Sequence, residues 1–265
     1  MKTADFFATH PVFSLDEVTE ALVPPGGRGG SVERLKYHLE VGRLKLVTRG
    51  IYAVVPPGVA VAQFHPDPFL VAAAIRPRGV FSHHSALELL GAAHSIWNQC
   101  TVYAEPRRKP MVMEQTTIRF IDHPRAMRTK KRLVLGTRKV ERRGRMLRVT
   151  GPERTLVEGF RRPGLVGGLE ELIVSACGFP ILDLELLEKL LRLHDVRNLW
   201  AASGWFLERF RETFHAPEAY VRRLERFRPR SPQYLVRDSR GGTLSPRWNL
   251  IIPRELTGGS EPDEP

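Results

Sequence analysis

Residues 14–55 read SLDEVTEALVPPGGRGGSVERLKYHLEVGRLKLVTRGIYAVV, and their punctuation decides the fold of the amino-terminal part of the chain. Ser14-Leu15-Asp16-Glu17 has the spacing of a capping box: the Ser14 oxygen accepts from the third helical amide and Glu17 reaches back. It opens an amphipathic run with Leu15, Val18, Ala21 and Leu22 on one face. The Pro/Gly stretch 24–30 stops that helix and makes a loop. Ser31 is a second N-cap residue, and the helix it starts spans 32–41, closed by Gly42. Val32, Leu35 and Leu39 form its buried stripe, so Glu33, Arg34 and Tyr37 point outward with Lys36 on the flank. Two strand-like runs, 44–48 and 51–55, meet at Arg49-Gly50. Upstream, residues 2–8 form a short helix anchored by Phe6 and Phe7.

Three short helices and a hairpin are the plan of a winged helix-turn-helix. Its third helix is the one that enters a DNA major groove. The residues expected on duplex DNA are Arg34, Lys36 and Tyr37 in the groove, with Glu33 accepting from a cytosine amino group. Arg28 and Ser31 are expected to hold a phosphate at the helix start, and Lys45 and Arg49 to meet the backbone from the hairpin. The alternative for this unit is a protein-interaction module, because residues 1–55 hold 7 basic and 6 acidic residues, close to neutral.

The chain of 265 residues carries a net charge of +12, concentrated in residues 76–162, which hold 20 basic and 7 acidic residues. The peak is 125–148, where eleven basic residues face Glu141 alone. Such a one-signed field suits a polyanion. Arg138, Arg142, Arg143 and Arg145, on a hairpin with strands 137–141 and 145–150, are expected to extend the DNA footprint.

Pro56-Pro57-Gly58 ends the first unit, and Pro66 and Pro68 mark the crossing to the second. Helices are expected at 67–75, at 83–90 capped by Ser82, and at 152–160, 168–177, 183–193, 196–213 and 217–228. Strands are expected at 98–104, 116–121 and 247–253, beside the 137–150 hairpin. The fold class is therefore α+β: a winged helix-turn-helix over 1–58, a larger mixed α+β domain over 66–253, and a disordered tail over 254–265.

Composition excludes several classes. Two cysteines, Cys100 and Cys177, cannot build a disulfide framework or a four-Cys zinc site. No apolar run reaches membrane-spanning length, and residues 1–5 lack the apolar core of a signal peptide, so a cytoplasmic protein is expected. The phosphate-loop, dinucleotide and nucleophile-elbow patterns are absent. His84 with Glu88 has helical spacing for two metal ligands but no third is fixed, and Glu153 with Glu158 is a weak carboxylate pair. No catalytic residue, metal or cofactor is expected.

Three segments carry a family resemblance. The run Leu44-Lys45-Leu46-Val47-Thr48-Arg49-Gly50-Ile51-Tyr52-Ala53 resembles the wing of AbiEi-type antitoxins, from the AbiE (type IV) toxin–antitoxin systems. Two later segments, 81–91 (FSHHSALELLG) and 149–158 (VTGPERTLVE), resemble that family's second domain in order and spacing. Glu158 stands where the family commonly has Asp, and the likeness spans most of residues 1–215. It implies a repressor that binds repeats in its own promoter, and an antitoxin acting against a nucleotidyltransferase-like toxin without a stable complex. The other readings of the residues are a winged-helix regulator with no toxin partner, and a nucleic-acid-processing enzyme bearing a winged-helix module.

Overall fold

The computed structural model describes residues 2–106, 108–236 and 241–256. The chain begins α1 (Thr3–Thr9), β1 (Val12–Ser14), α2 (Leu15–Leu22), α3 (Gly27–Glu40), β2 (Leu44–Thr48), β3 (Ile51–Val54), α4 (Pro68–Ile75) and β4 (Val80–Phe81). It continues α5 (His84–Leu89), β5 (Gln99–Tyr103), β6 (Met111–Met113), β7 (Thr116–Ile121), α6 (Arg125–Thr129), β8 (Thr137–Arg142) and β9 (Arg145–Thr150). The last part is α7 (Pro152–Arg161), α8 (Leu169–Cys177), α9 (Leu184–His194), α10 (Arg197–Arg209), α11 (Glu218–Glu225), β10 (Gln233–Tyr234), β11 (Thr243–Ser245) and β12 (Leu250–Ile252). The fold is α+β.

Two compact units share this chain, each discontinuous: Met1–Val80 with Asn98–Asp122 and Lys139–Arg148, and Phe81–Trp97 with His123–Arg138 and Val149–Pro265. The boundary expected between 58 and 66 therefore falls inside the first unit. The reason is α4, apolar on nearly every face, which packs on β1 and β3 as well as on β5 and β7.

In the first unit the capping box closes as its spacing requires. The Ser14 Oγ accepts from the Glu17 amide at 3.1 Å, and Glu17 accepts from the Ser14 amide at 2.7 Å. β1 has no signature in the sequence. Three residues are too few to show a period, and it exists because β3 offers an edge: Val12, Phe13 and Ser14 pair antiparallel with Ala53, Tyr52 and Ile51. β2 pairs with the other side of β3, giving the order β1-β3-β2. Phe6, Phe13, Leu15, Val18, Leu35, Leu44 and Tyr52 are the buried core between helices and sheet. β5 and β7 run parallel, Cys100 opposite Ile118, and β6 adds to β7 as a hairpin.

The second unit packs α5 and α7–α11 around Leu156, Leu172, Leu187, Leu191, Phe206 and Trp248. β12 lies between β10, parallel to it, and β11, antiparallel. Four local expectations are corrected. Ser82 does not cap α5; His83 occupies that position at φ 57, and its Nδ1 meets Ser82 Oγ at 2.9 Å. α10 stops at Arg209, where Phe210 leaves helical geometry, and β12 is limited to Leu250–Ile252. Of the tail expected to be disordered, Arg254–Leu256 forms a 3-10 turn and 257–265 lie outside the described residues.

Gly204 on α10 is fixed by close approach: a Cβ there would stand 2.1 Å from Cζ3 of the fully buried Trp248. The indole cannot withdraw, because its Nε1 donates to Glu208 at 2.6 Å. Gly204→Ala is therefore expected to cost at least about 1–3 kcal/mol as an overpacking substitution. A thermal or urea melt checks it, and an unchanged midpoint would show that the indole has room to move.

Candidate nucleic-acid interface

α3 starts at Gly27, four residues before the expected Ser31, with Gly26 at φ 81 as its N-cap. The proline-glycine stretch is thus partly helical. Gly30 makes this possible, since a Cβ there would lie 2.0 Å from the Pro25 carbonyl oxygen. The earlier start turns Ser31 inward, where it is buried and accepts from Thr19 Oγ1 of α2 at 2.8 Å. Ser31 is therefore a link between α2 and α3, not a phosphate ligand. Arg28, on the first turn, is exposed and paired with Asp16.

The outward face of α3 divides in two. Lys36 Nζ sits 2.6 Å from Glu33, three residues away, and the carboxylate beside it holds the ammonium above the usual lysine range. Both groups are exposed, so the pair exchanges readily with water. Arg34 and Tyr37 are also exposed, and Arg34 makes no ion pair among the described residues. On the hairpin, Arg49 is exposed in the turn between β2 and β3. Lys45 is half-buried, and its ammonium donates to the Phe64 carbonyl at 2.6 Å, tying β2 to the segment before α4.

The basic hairpin β8–β9 also departs from expectation, because distant carboxylates neutralise much of it. Arg142 Nε donates to Asp67 Oδ2 at 2.7 Å and its guanidinium lies 4.3 Å from the Phe69 ring centroid. Asp67 in turn caps α4 through the amides of Phe69 and Leu70. Arg143, in the turn, reaches the same carboxylate at 3.7 Å but stays largely exposed. Arg145 donates to the Val12 carbonyl at 2.7 Å and pairs with Glu17, the carboxylate of the capping box. Arg138, in the second unit, pairs with the buried Glu153 at 3.7 Å. Counting charge along the sequence missed these acids because Asp67 and Glu17 lie more than 70 residues upstream. Their own signals, two helix N-termini, were legible.

The segments 81–91 and 149–158 each bury polar side chains in the second unit. Arg154, fully buried, donates from Nε to Glu158 at 2.9 Å, and from Nη1 to the Leu133 and Leu135 carbonyls at 2.8 and 3.0 Å. Its Nη2 meets His123 Nδ1 at 3.2 Å, and His194 Nε2 lies 3.9 Å from Glu158. His84 does not face Glu88: its ring stacks near Trp97 and its Nε2 lies 3.4 Å from Glu171. Among the described residues no three His, Cys, Asp or Glu side chains converge as metal ligands. Glu153 does not pair with Glu158 for acid–base chemistry; its Oε1 accepts from the Asp183 amide at 2.8 Å.

No family model matches the chain, and no curated protein matches it. Among solved structures it is similar to the crystal structure of the RV2827C protein from Mycobacterium tuberculosis, at 19% identity and a TM-score of 0.60. The match covers 94% of this chain and 89% of that one. At this identity the likeness shows a shared fold.

Two predictions come from this geometry. Arg145→Ala should lower the stability of the first unit by about 1–3 kcal/mol, because it strips the Val12 carbonyl and Glu17 of their partner. Arg143→Ser should change the urea midpoint by less than about 0.5 kcal/mol equivalent, being exposed. Equal midpoints for the two variants would refute the assignment. The second concerns acid. Burial, with Arg161 and Arg154 nearby, pushes His194 down to about 4; burial, with Arg162 and Arg154 nearby, pushes His83 down to about 3. Both rings stay neutral when folded but gain a proton near pH 6.5 when unfolded. Their stabilisation is fully present above pH 6.5 and lost as pH falls towards 4. Urea midpoints at pH 7, 5.5 and 4.5 should fall in that order, and His194→Gln should decline less steeply.

Proposed function

We propose that this protein is a DNA-binding transcriptional repressor that regulates its own operon and serves as the antitoxin to a nucleotidyltransferase-like toxin. The observation that carries the DNA arm is the face of α3 on which Arg34 and Tyr37 stand exposed. Beside it, a three-stranded sheet bears Arg49 at the tip of its hairpin. A helix of 14 residues with one open polar face suits a major groove, and a hairpin tip suits the neighbouring phosphates. In this reading Arg34 and Tyr37 read bases, Glu33 and Lys36 exchange their mutual pair for DNA contacts, and Arg49 and Arg28 meet the backbone. Arg143 adds a phosphate contact, whereas Arg142 and Arg145 support it by holding the hairpin. The antitoxin arm rests on the AbiEi resemblance of 81–91 and 149–158. No helix among the described residues is long and apolar enough to cross a membrane.

Duplex DNA from the promoter upstream of the protein's own gene tests the DNA arm. Arg34→Ala should weaken binding to this site by about 1–3 kcal/mol and relax sequence preference. Arg49→Ala should weaken binding to all sequences alike and lower the slope of log K against log salt by about one. An Arg34→Ala variant with wild-type affinity would overturn the placement of α3. For the antitoxin arm, the proposal expects a nucleotidyltransferase-like toxin encoded in the same operon, and co-expression with it should restore growth; absence of such a gene, or failure of rescue, would leave a repressor without a toxin.

A further inference from the structure

The second unit has a positively lined basin that its composition conceals. Residues 163–265 hold 14 basic and 15 acidic residues, yet the fold sorts them. Arg197 at the start of α10, Arg222 and Arg226 at the end of α11, and Arg228 and Arg230 just beyond line one concavity of about 760 Å³. Glu225 is its acidic wall residue. A second concavity of about 670 Å³ shares Arg197, Pro229 and Arg230 with the first and adds Tyr234, 44% exposed.

The neighbouring carboxylates are engaged by Arg247. Its Nε lies 3.0 Å from Glu225, Nη1 2.6 Å from Glu208, and Nη2 2.9 Å from Glu218. Glu218 is further divided between Arg211 and Arg222, and the three guanidiniums hold it below the usual carboxylate range. Arg228 is pinned on the Arg247 carbonyl and approaches Glu225 at 3.4 Å. Arg197 donates to the Arg228 carbonyl at 3.3 Å. Arg226 and Arg230 are exposed and have no acidic partner among the described residues. Cations are thus held close together with too little local anion, an arrangement that a ligand of repeated negative charge relieves.

We propose that this basin binds single-stranded nucleic acid, with backbone phosphates on Arg197, Arg226 and Arg230 and a base stacked on Tyr234. Guanidinium forks match phosphate oxygens in geometry. A concave wall admits a strand, whereas duplex grooves are read by elements that protrude. An exposed aromatic ring beside a cationic groove is the combination that holds single strands irrespective of sequence. The inference goes beyond the duplex-binding function proposed for α3 and does not rest on it.

Fluorescence anisotropy of the full chain with a labelled uridylate dodecamer tests the proposal. Arg226→Ser/Arg230→Ser should weaken binding at least tenfold and reduce the slope of log K against log salt by about 1.4, at about 0.7 per phosphate contact. Tyr234→Ala should weaken it about tenfold with the slope unchanged. Arg34→Ala should leave this binding intact, which separates it from promoter recognition. All three sites are exposed, and an unchanged thermal midpoint confirms folding. Wild-type affinity in the double variant or in Tyr234→Ala overturns the proposal. So does competition by polyglutamate as effective as by unlabelled strand, which would assign the basin to an acidic protein.

Discussion

Glu17 carries two obligations at once. One oxygen closes the capping box at the start of α2, and the other holds Arg145 of the β8–β9 hairpin. A guanidinium that also reaches the Val12 carbonyl thereby joins β1, α2 and β9 at one point of the first unit. Asp67 repeats the arrangement at α4, capping that helix and holding Arg142. In both cases a helix N-terminus supplies a carboxylate that the local dipole already favours, and a distant arginine completes it. These two acids tie the hairpin to α2 and α4 within the first unit.

The same pairing explains what could be read from the sequence. α2, α3, β2 and β3 were legible because caps, periodicity and an Arg-Gly turn act within a few residues. β1 was not, because its three residues become a strand only when β3 lies beside them. The start of α3 is hidden because four glycines look like a loop, and only the close approach of Gly30 to Pro25 shows why the helix includes them. Among the candidate DNA residues, Arg34, Tyr37 and Arg49 stand exposed, while Ser31, Lys45, Arg142 and Arg145 are taken up by partners that no local window contains. Charge tallies fail in both directions here. They overstated the positive field of 125–148 and concealed the arginine basin near the end of the chain.

The buried cluster in the second unit has another character. Arg154 finds an acceptor for each of its nitrogens, through Glu158, two main-chain carbonyls and His123. A buried ion pair contributes little net stability, but removing one partner strands the other at a cost of about 3–5 kcal/mol. Segment 149–158 is therefore constrained by polar satisfaction as well as by apolar packing.

The first unit is assembled from three stretches of chain, the last of which ends at Arg148. On a ribosome its sheet β1-β3-β2 and its three leading helices emerge early, but the hairpin arginines that answer Glu17 and Asp67 emerge long afterwards. Until then α2 and α4 keep their caps and lack their counter-ions. The unit that opens this chain can complete itself only after two stretches of the other unit, 81–97 and 123–138, have already been made.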